Sequence, residues 1–143
     1  LTNQSMPVSA TDEMPKEQDA PAMSIEQMRK VCDAASEYLA ASKAYLKPDI
    51  SLVLFSKEAN VSPRTLSRAI NGYLKINFFE FINRMRVEEA KQKLMDLETS
   101  GYNIDSIYEE CGFRSRSSFF MVFKKIEGKS PAAWLEDRNK QAS

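Results

Sequence analysis

Residues 104–134 read IDSIYEECGFRSRSSFFMVFKKIEGKSPAAW, and this stretch decides the fold. Ile104, Ile107, Tyr108 and Cys111 recur at helical spacing, which predicts a short helix from Ile104 to Cys111 with those four side chains inward. Gly112 breaks it. Ser115 opens a second helix with Phe119, Val122, Phe123 and Ile126 inward, and Gly128 ends that one. Ser130-Pro131 starts a third, which carries Trp134 and Leu135. A short helix, a tight turn and a second short helix make a helix-turn-helix, whose second helix can enter a DNA major groove. Alone the pattern is weak, because many helical proteins pair helices across a tight turn.

The plan occurs twice. Residues 51–71, SLVLFSKEANVSPRTLSRAIN, give a helix from Ser51 to Ala59 with Leu52 and Phe55 buried. A second helix follows, capped by Ser62, with Pro63 in its first position and Leu66, Ala69 and Ile70 inward. In both copies an apolar residue after the turn, Val61 or Phe113, precedes the capping serine. Between the copies lies a long helix, NFFEFINRMRVEEAKQKLMDL, with Phe78, Phe81, Ile82, Met85, Ala90, Leu94 and Leu97 on its apolar side. It is expected to run for about 20 residues, roughly 30 Å, and to stop before Gly101.

Charge strengthens the pattern. The 143 residues hold 20 basic and 20 acidic side chains, so the net charge is zero. The charges are nevertheless sorted. The first helix of each pair carries acids, Glu58 in one and Asp105, Glu109 and Glu110 in the other. The second helices carry Arg64 and Arg68, and Arg114, Arg116, Lys124 and Lys125, with no acid among residues 61–71 or 113–126. Phosphate attraction needs a local positive surface rather than a high isoelectric point.

The N-terminal third differs. Residues 1–23 hold three prolines, four acids, one lysine and no apolar periodicity, as expected of a flexible linker or tail. Ser24 and Gln27 have capping-box spacing. Ile25, Met28, Cys32, Ala35, Leu39 and Leu46 then predict an amphipathic helix over 24–46, stopped by Pro48. Two readings of it stand open: a helix packed on its own domain, or a coiled-coil linker that makes the parent a homodimer. No stretch alternates as a strand would, so the expected class is all-α.

Composition excludes several chemistries. There is no histidine, which removes Ser-His and Cys-His catalysis and most zinc sites from this chain. Two cysteines cannot build a disulfide-dense scaffold or a four-ligand metal site, and isolated thiols suit a reducing compartment. No apolar run approaches the ~20 residues of a membrane span. No metal, cofactor or catalytic residue is expected. The chain starts at Leu1 without a signal-peptide pattern and reads as a piece of a longer protein.

From about residue 45 to 137 the chain resembles the DNA-binding domain of AraC/XylS-family transcription regulators. The matching pieces are VSPRTLSRAIN at 61–71, FFEFINRMRVEEAKQKL at 78–94, IDSIYEECGF at 104–113, FFMVF at 119–123 and GKSPAAW at 128–134. The Gly-Phe turn, the spaced phenylalanines and the Gly-x-Ser-Pro close are the most diagnostic. The resemblance implies a domain over 47–140 made of two helix-turn-helix subdomains joined by the long helix, with recognition helices reaching successive major-groove turns ~34 Å apart. It implies a sequence-specific, double-stranded promoter-DNA-binding output domain of a bacterial regulator, an activator that touches RNA polymerase. It places the domain in the cytoplasm at the nucleoid, with a parent that is either cytosolic or membrane-anchored. Some positions depart from the family pattern. Ser56 and Tyr108 replace a small alanine, and Lys75 replaces a glycine and calls for a left-handed lysine or another turn. Val53 and Leu54 are apolar where the family is polar, and are expected to pack on the 24–46 helix.

With the apolar positions assigned inward, Arg64, Thr65, Ser67 and Arg68 are left for the outer face of the first recognition helix. Arg116, Ser117, Phe120 and Met121 are left on the second. Arginine can pair bidentately with guanine, and Arg116 is favoured as the base reader because it lies in the first turn. Ser115 is read chiefly as a cap, and Lys124 as a backbone contact or solvated charge. Arg84 and Arg86 are expected to pair or pack, Cys111 to be buried, and Trp134 to anchor the last helix. Two other classes compete: a helical module whose basic face binds an acidic protein, and an enzyme fragment like the repair methyltransferases that carry such a domain beside reactive cysteines. The cysteine cluster the latter need is missing.

Overall fold

The serines predicted to start helices do so. Ser24 and Gln27 close a reciprocal capping box, Gln27 N–H donating to Ser24 Oγ at 3.1 Å and Ser24 N–H to Gln27 Oε1 at 2.8 Å. In this computed structural model, which describes residues 22–101 and 103–142, all regular structure is helical. The helices are α1 (Ile25–Ser42), α2 (Leu52–Glu58), α3 (Pro63–Ala69), α4 (Phe78–Met95), α5 (Leu97–Ser100), α6 (Ile107–Glu110), α7 (Arg116–Glu127) and α8 (Pro131–Ala142). A 3₁₀ turn at Ala44–Leu46 follows α1, and a π-helical turn at Ile70–Leu74 extends α3. The tail expected over 1–23 falls, up to residue 21, outside the described residues. None of the described helices is long and apolar enough to cross a membrane.

The chain divides into two units. The first runs through Ser42 and adds Asp49–Phe79. The second takes Lys43–Pro48 and everything from Glu80 onward. Helix α4 is continuous from the one into the other.

In the first unit, α1 packs against α3 and the π-helical turn, with Cys32, Ala35 and Leu39 buried. Its apolar stripe begins later than expected, since Ile25 is exposed. It also ends earlier. Lys43 adopts a left-handed φ of 56°, so the helix does not reach Leu46. In the segment that follows, within the second unit, the carbonyls of Tyr45 and Lys47 are taken by Arg86. Helix α2 is capped by Ser51, whose Oγ accepts the Leu54 N–H at 3.1 Å. It buries Leu52, Phe55 and Ser56, and Phe55 meets the rings of Tyr38 and Phe78 at 5.7 and 6.0 Å. With 52, 55 and 56 inward, 53 and 54 turn away. Val53 and Leu54 are therefore exposed, and the expectation that they pack on α1 is wrong. Ser56 occupies its tight site because its hydroxyl donates to Val53 O at 2.9 Å. Lys75 is left-handed, at φ 62°.

In the second unit, Val87, Ala90 and Leu94 of α4 join Ile107, Cys111, Phe113, Phe119 and Phe123 in one buried cluster, with Trp134 and Leu135 packed against it. The α4 helix breaks at Asp96, and α5 ends at left-handed Gly101, so the expected uninterrupted helix is two pieces. Helix α6 starts at Ile107 rather than Ile104 because Asn103 Oδ1 accepts the N–H groups of Asp105 and Ser106, both at 3.0 Å. That side-chain turn competes with the helix for the same donors. Ile126, expected inward, is exposed at the end of α7. Arg86 is buried, donating through Nε to Tyr45 O at 2.6 Å and through Nη2 to Lys47 O at 2.9 Å. Its guanidinium also lies 5.6 Å from the Phe113 ring. Burial first, then the neighbouring Arg114, lowers its pKa.

The two turns share one construction. Val61 N–H donates to Ser56 O, and Phe113 N–H to Tyr108 O, both at 3.0 Å. The residue just before each is left-handed, Asn60 at φ 59° and Gly112 at φ 90°. Only the second turn needs glycine for space: a Cβ at 112 would lie 2.9 Å from Leu46 O and 3.0 Å from Arg86 Nε. Gly112→Ala is expected to cost about 1–3 kcal/mol in urea unfolding, and Asn60→Gly a few tenths. Arg86→Ala, which strips two charge-assisted bonds and opens a void, is expected to cost about 2–4 kcal/mol in the same measurement.

Candidate nucleic-acid interface

Each recognition helix is set by a serine cap of the same design. Ser62 Oγ accepts the Thr65 N–H at 3.0 Å and donates to Thr65 Oγ1 at 2.9 Å. Ser115 Oγ accepts the Ser118 N–H and donates to Ser118 Oγ, both at 3.1 Å. Thr65 and Ser118 thus complete the caps. The sequence singled out Thr65 for another role and left Ser118 aside. Their hydroxyls sit three residues after the capping serines, and that spacing was the available signal. The second turn is one residue longer, because Arg114 stands between Phe113 and the cap. Arg114 is exposed and adds a charge beside α7.

On α3, Leu66, Ala69 and Ile70 are buried as predicted. Arg64, Thr65 and Arg68 are partly exposed. Ser67 is not on the outer face: it is only 4% exposed, and Asn71 Nδ2 reaches its carbonyl at 2.9 Å and its Oγ at 3.3 Å. The helix lies deep enough against α1 and α2 to take in a fourth small residue, so the outward set shrinks to the two arginines and Thr65. With Thr65 engaged by the cap, the arginines hold most of what this helix can offer a ligand.

On α7, Phe119 and Phe123 are fully buried and Val122 half-buried. Ser115, Arg116, Ser117, Met121, Lys124 and Lys125 are all exposed, Met121 to 68%. Phe120 has two roles. One side packs with the core, its ring 5.5 Å from that of Phe119. Over its face sits the Arg116 guanidinium, 4.4 Å from the ring centroid. Arg116 is further held by Asp105, whose Oδ1 accepts from Nε at 2.9 Å and lies 2.9 Å from Nη2 as an ion pair. Helix periodicity could not reveal that partner, because the pair spans two helices and the turn between them. Arg84 is exposed, while Arg86 faces the interior.

Cys111 is fully buried, and burial pushes its thiol up to about 12, so it stays protonated at neutral pH. The Cys32 thiol is raised for the same reason. Among the described residues no three acids or cysteines gather as metal ligands would.

Known proteins resemble this chain in both sequence and fold. Residues 55–137 match a family described as "Helix-turn-helix domain". An uncharacterised HTH-type transcriptional regulator of Staphylococcus aureus (strain COL) is 29% identical over 113 residues, 79% of this chain and 14% of that protein. The regulatory protein PocR of Salmonella typhimurium is 28% identical over 99 residues, 69% of this chain and 32% of PocR. The chain therefore spans a minor part of the relatives it matches. Among solved structures, the C-terminal domain of AraT, a response regulator from Geobacillus stearothermophilus, superposes with a TM-score of 0.61 at 32% identity, covering 75% of this chain and 84% of that one. The DNA-binding domain of the transcription factor AdpA, solved with a target DNA, gives 0.58 at 25% identity, covering 80% and 95%. Paired capped helices, paired turns and these likenesses agree: the chain belongs to the AraC-type helix-turn-helix domain family.

Proposed function

We propose that this chain binds double-stranded promoter DNA sequence-specifically, as the output domain of a bacterial transcription regulator. In this reading α3 and α7 enter successive major-groove turns. The observation that carries it is the makeup of the outward faces. Two serine-capped helices present the partly exposed Arg64 and Arg68, and the exposed Arg116, Ser117, Met121 and Lys124, with no acid on either until Glu127 at the end of α7. A near-neutral chain gains nothing in solubility from such sorting, whereas phosphate binding requires it. AdpA, solved on DNA, and AraT, a response regulator, support the same reading.

The roles divide by geometry. Arg116, in the first turn of α7, reads a base, and Arg64 does so from α3. Arg68 takes a base or phosphate, and Ser117 a base edge or phosphate. Met121 offers an apolar surface to thymine methyls, and Lys124 a phosphate contact. Phe120 acts through Arg116 rather than on DNA itself. The regulator is an activator working in the cytoplasm through RNA polymerase. The chain has no reaction of its own: its two thiols are buried.

Selection of duplexes from a random-sequence pool supplies the probe. The selected duplex should show two protected major-groove patches about 10 base pairs apart, and affinity should fall log-linearly with salt. One patch, or no enrichment over random duplex at any salt, would overturn the reading. Arg116→Ala should relax preference at one base position by about 1–3 kcal/mol. Lys124→Ala should weaken all duplexes alike and lower the salt slope by about 1.

A further inference from the structure

We infer that Asp105 is a specificity-determining residue: it holds the Arg116 guanidinium in the one orientation that reads a base, and it discourages indiscriminate phosphate binding. The inference rests on the proposed DNA reading and deepens it. Asp105 Oδ1 accepts from Nε of Arg116 at 2.9 Å and lies 2.9 Å from Nη2. Those two nitrogens form the side edge of the guanidinium plane. The end edge, Nη1 with the second hydrogen of Nη2, is the one that matches the paired acceptors O6 and N7 of guanine. Asp105 thereby occupies one donor edge and leaves the other for the base. Phe120 lies under the same plane at 4.4 Å, so the group is fixed both within its plane and against tilting.

Asp105 is itself anchored. Its N–H donates to Asn103 Oδ1 at 3.0 Å, in the side-chain turn that delays the start of α6. Both side chains of the pair remain more than half exposed, at 55% for Arg116 and 61% for Asp105. An ion pair so open adds little to stability, which leaves orientation as what it can supply. A carboxylate beside a DNA-facing helix also repels phosphate, so its presence costs affinity for any duplex. The first unit lacks the acid: where the turns are aligned, Val53 matches Asp105 while Arg64 matches Arg116.

The test compares Asp105→Ala, Arg116→Ala and the double variant of the full chain. Each is titrated with the duplex selected from the random pool, with its single-base variants and with random duplex. Asp105→Ala should bind random duplex more tightly and lose about 3–10-fold of its discrimination at the base position that Arg116→Ala relaxes, and at no other. In the double variant, loss of Asp105 should remove no further discrimination. Asp105→Asn, which keeps an acceptor but loses the charge, should retain part of it. If Arg116→Ala relaxes one position while Asp105→Ala strengthens all duplexes equally, Asp105 is a mere charge brake and the inference falls while the DNA reading stands. If Arg116→Ala relaxes no position, base reading by Arg116 fails and the Asp105 inference goes with it. Thermal unfolding within about 2 °C of the unaltered chain would show that the surface substitution has left the fold intact.

Discussion

A single backbone bond, made once in each unit, sets everything that follows it. The N–H of Val61 returns to Ser56 O and that of Phe113 to Tyr108 O, each at 3.0 Å. A chain leaving a helix can make that return only if one residue turns left-handed, and Asn60 and Gly112 do so. The bond points the chain so that Phe113 drops into the core of its unit, Val61 is half-buried in the other, and the serine beyond each meets the N-terminus of the recognition helix. Sequence then adjusts the result at two places. A small buried residue, Ser56, or a half-buried one, Tyr108, sits at the acceptor, and Arg114 lengthens the second turn. The turn geometry tolerates all of this because it is a backbone device that asks little of the side chains around it.

The elements legible in the sequence were those set by local chemistry. Serine caps, the proline after Ser62, the glycines at 112 and 128 and the 3–4 spacing of Leu66, Ala69, Ile70, Phe119 and Phe123 all act within one or two helical turns. Left-handed Lys75 was foreseeable for a related reason: the family's glycine marks a backbone conformation that any substitute must share. What escaped periodicity was set at a distance. The placement of the segment after α1 involves Arg86, which takes its carbonyls from about 40 residues further along the chain. Ser67 is buried because α3 sinks against two other helices, and no pattern in its own seven residues says how deep. Val53 and Leu54 are the converse case, apolar side chains that the packing leaves outside. Exposed aliphatics are common on folded proteins, so apolarity alone was a poor guide to their direction.

Arg86 shows how composition can mislead about function. Counted as charge, it belongs to the basic surface of the chain. In place, it is a structural cross-brace: two carbonyls on the segment after α1 accept from it, and the Phe113 ring covers it. A buried arginine suits this task because its donors lie in a fixed plane and it stays charged even where burial lowers its pKa. The brace explains the demand for glycine at 112, since the guanidinium and Leu46 O fill the space a Cβ would need. One buried cation thus links residues 43–48, the turn and the long helix within the second unit, and does so without contributing to any surface.

The same distinction separates the arginines that remain outside. A surface guanidinium on a long flexible stem is a poor reader of sequence, since it can follow any phosphate within reach. It becomes selective when its plane is fixed before the encounter, because the ordering is then already done and an acceptor pair in the wrong place leaves donors unmatched. Arg116 has both supports, a carboxylate at its edge and a ring beneath it. Lys124, one helical turn past Phe120 and exposed, can follow whichever phosphate is nearest. In the proposed reading, specificity and affinity fall to different residues of one helix. In that reading the aspartate that sharpens the first weakens the second, because a carboxylate beside the helix repels phosphate.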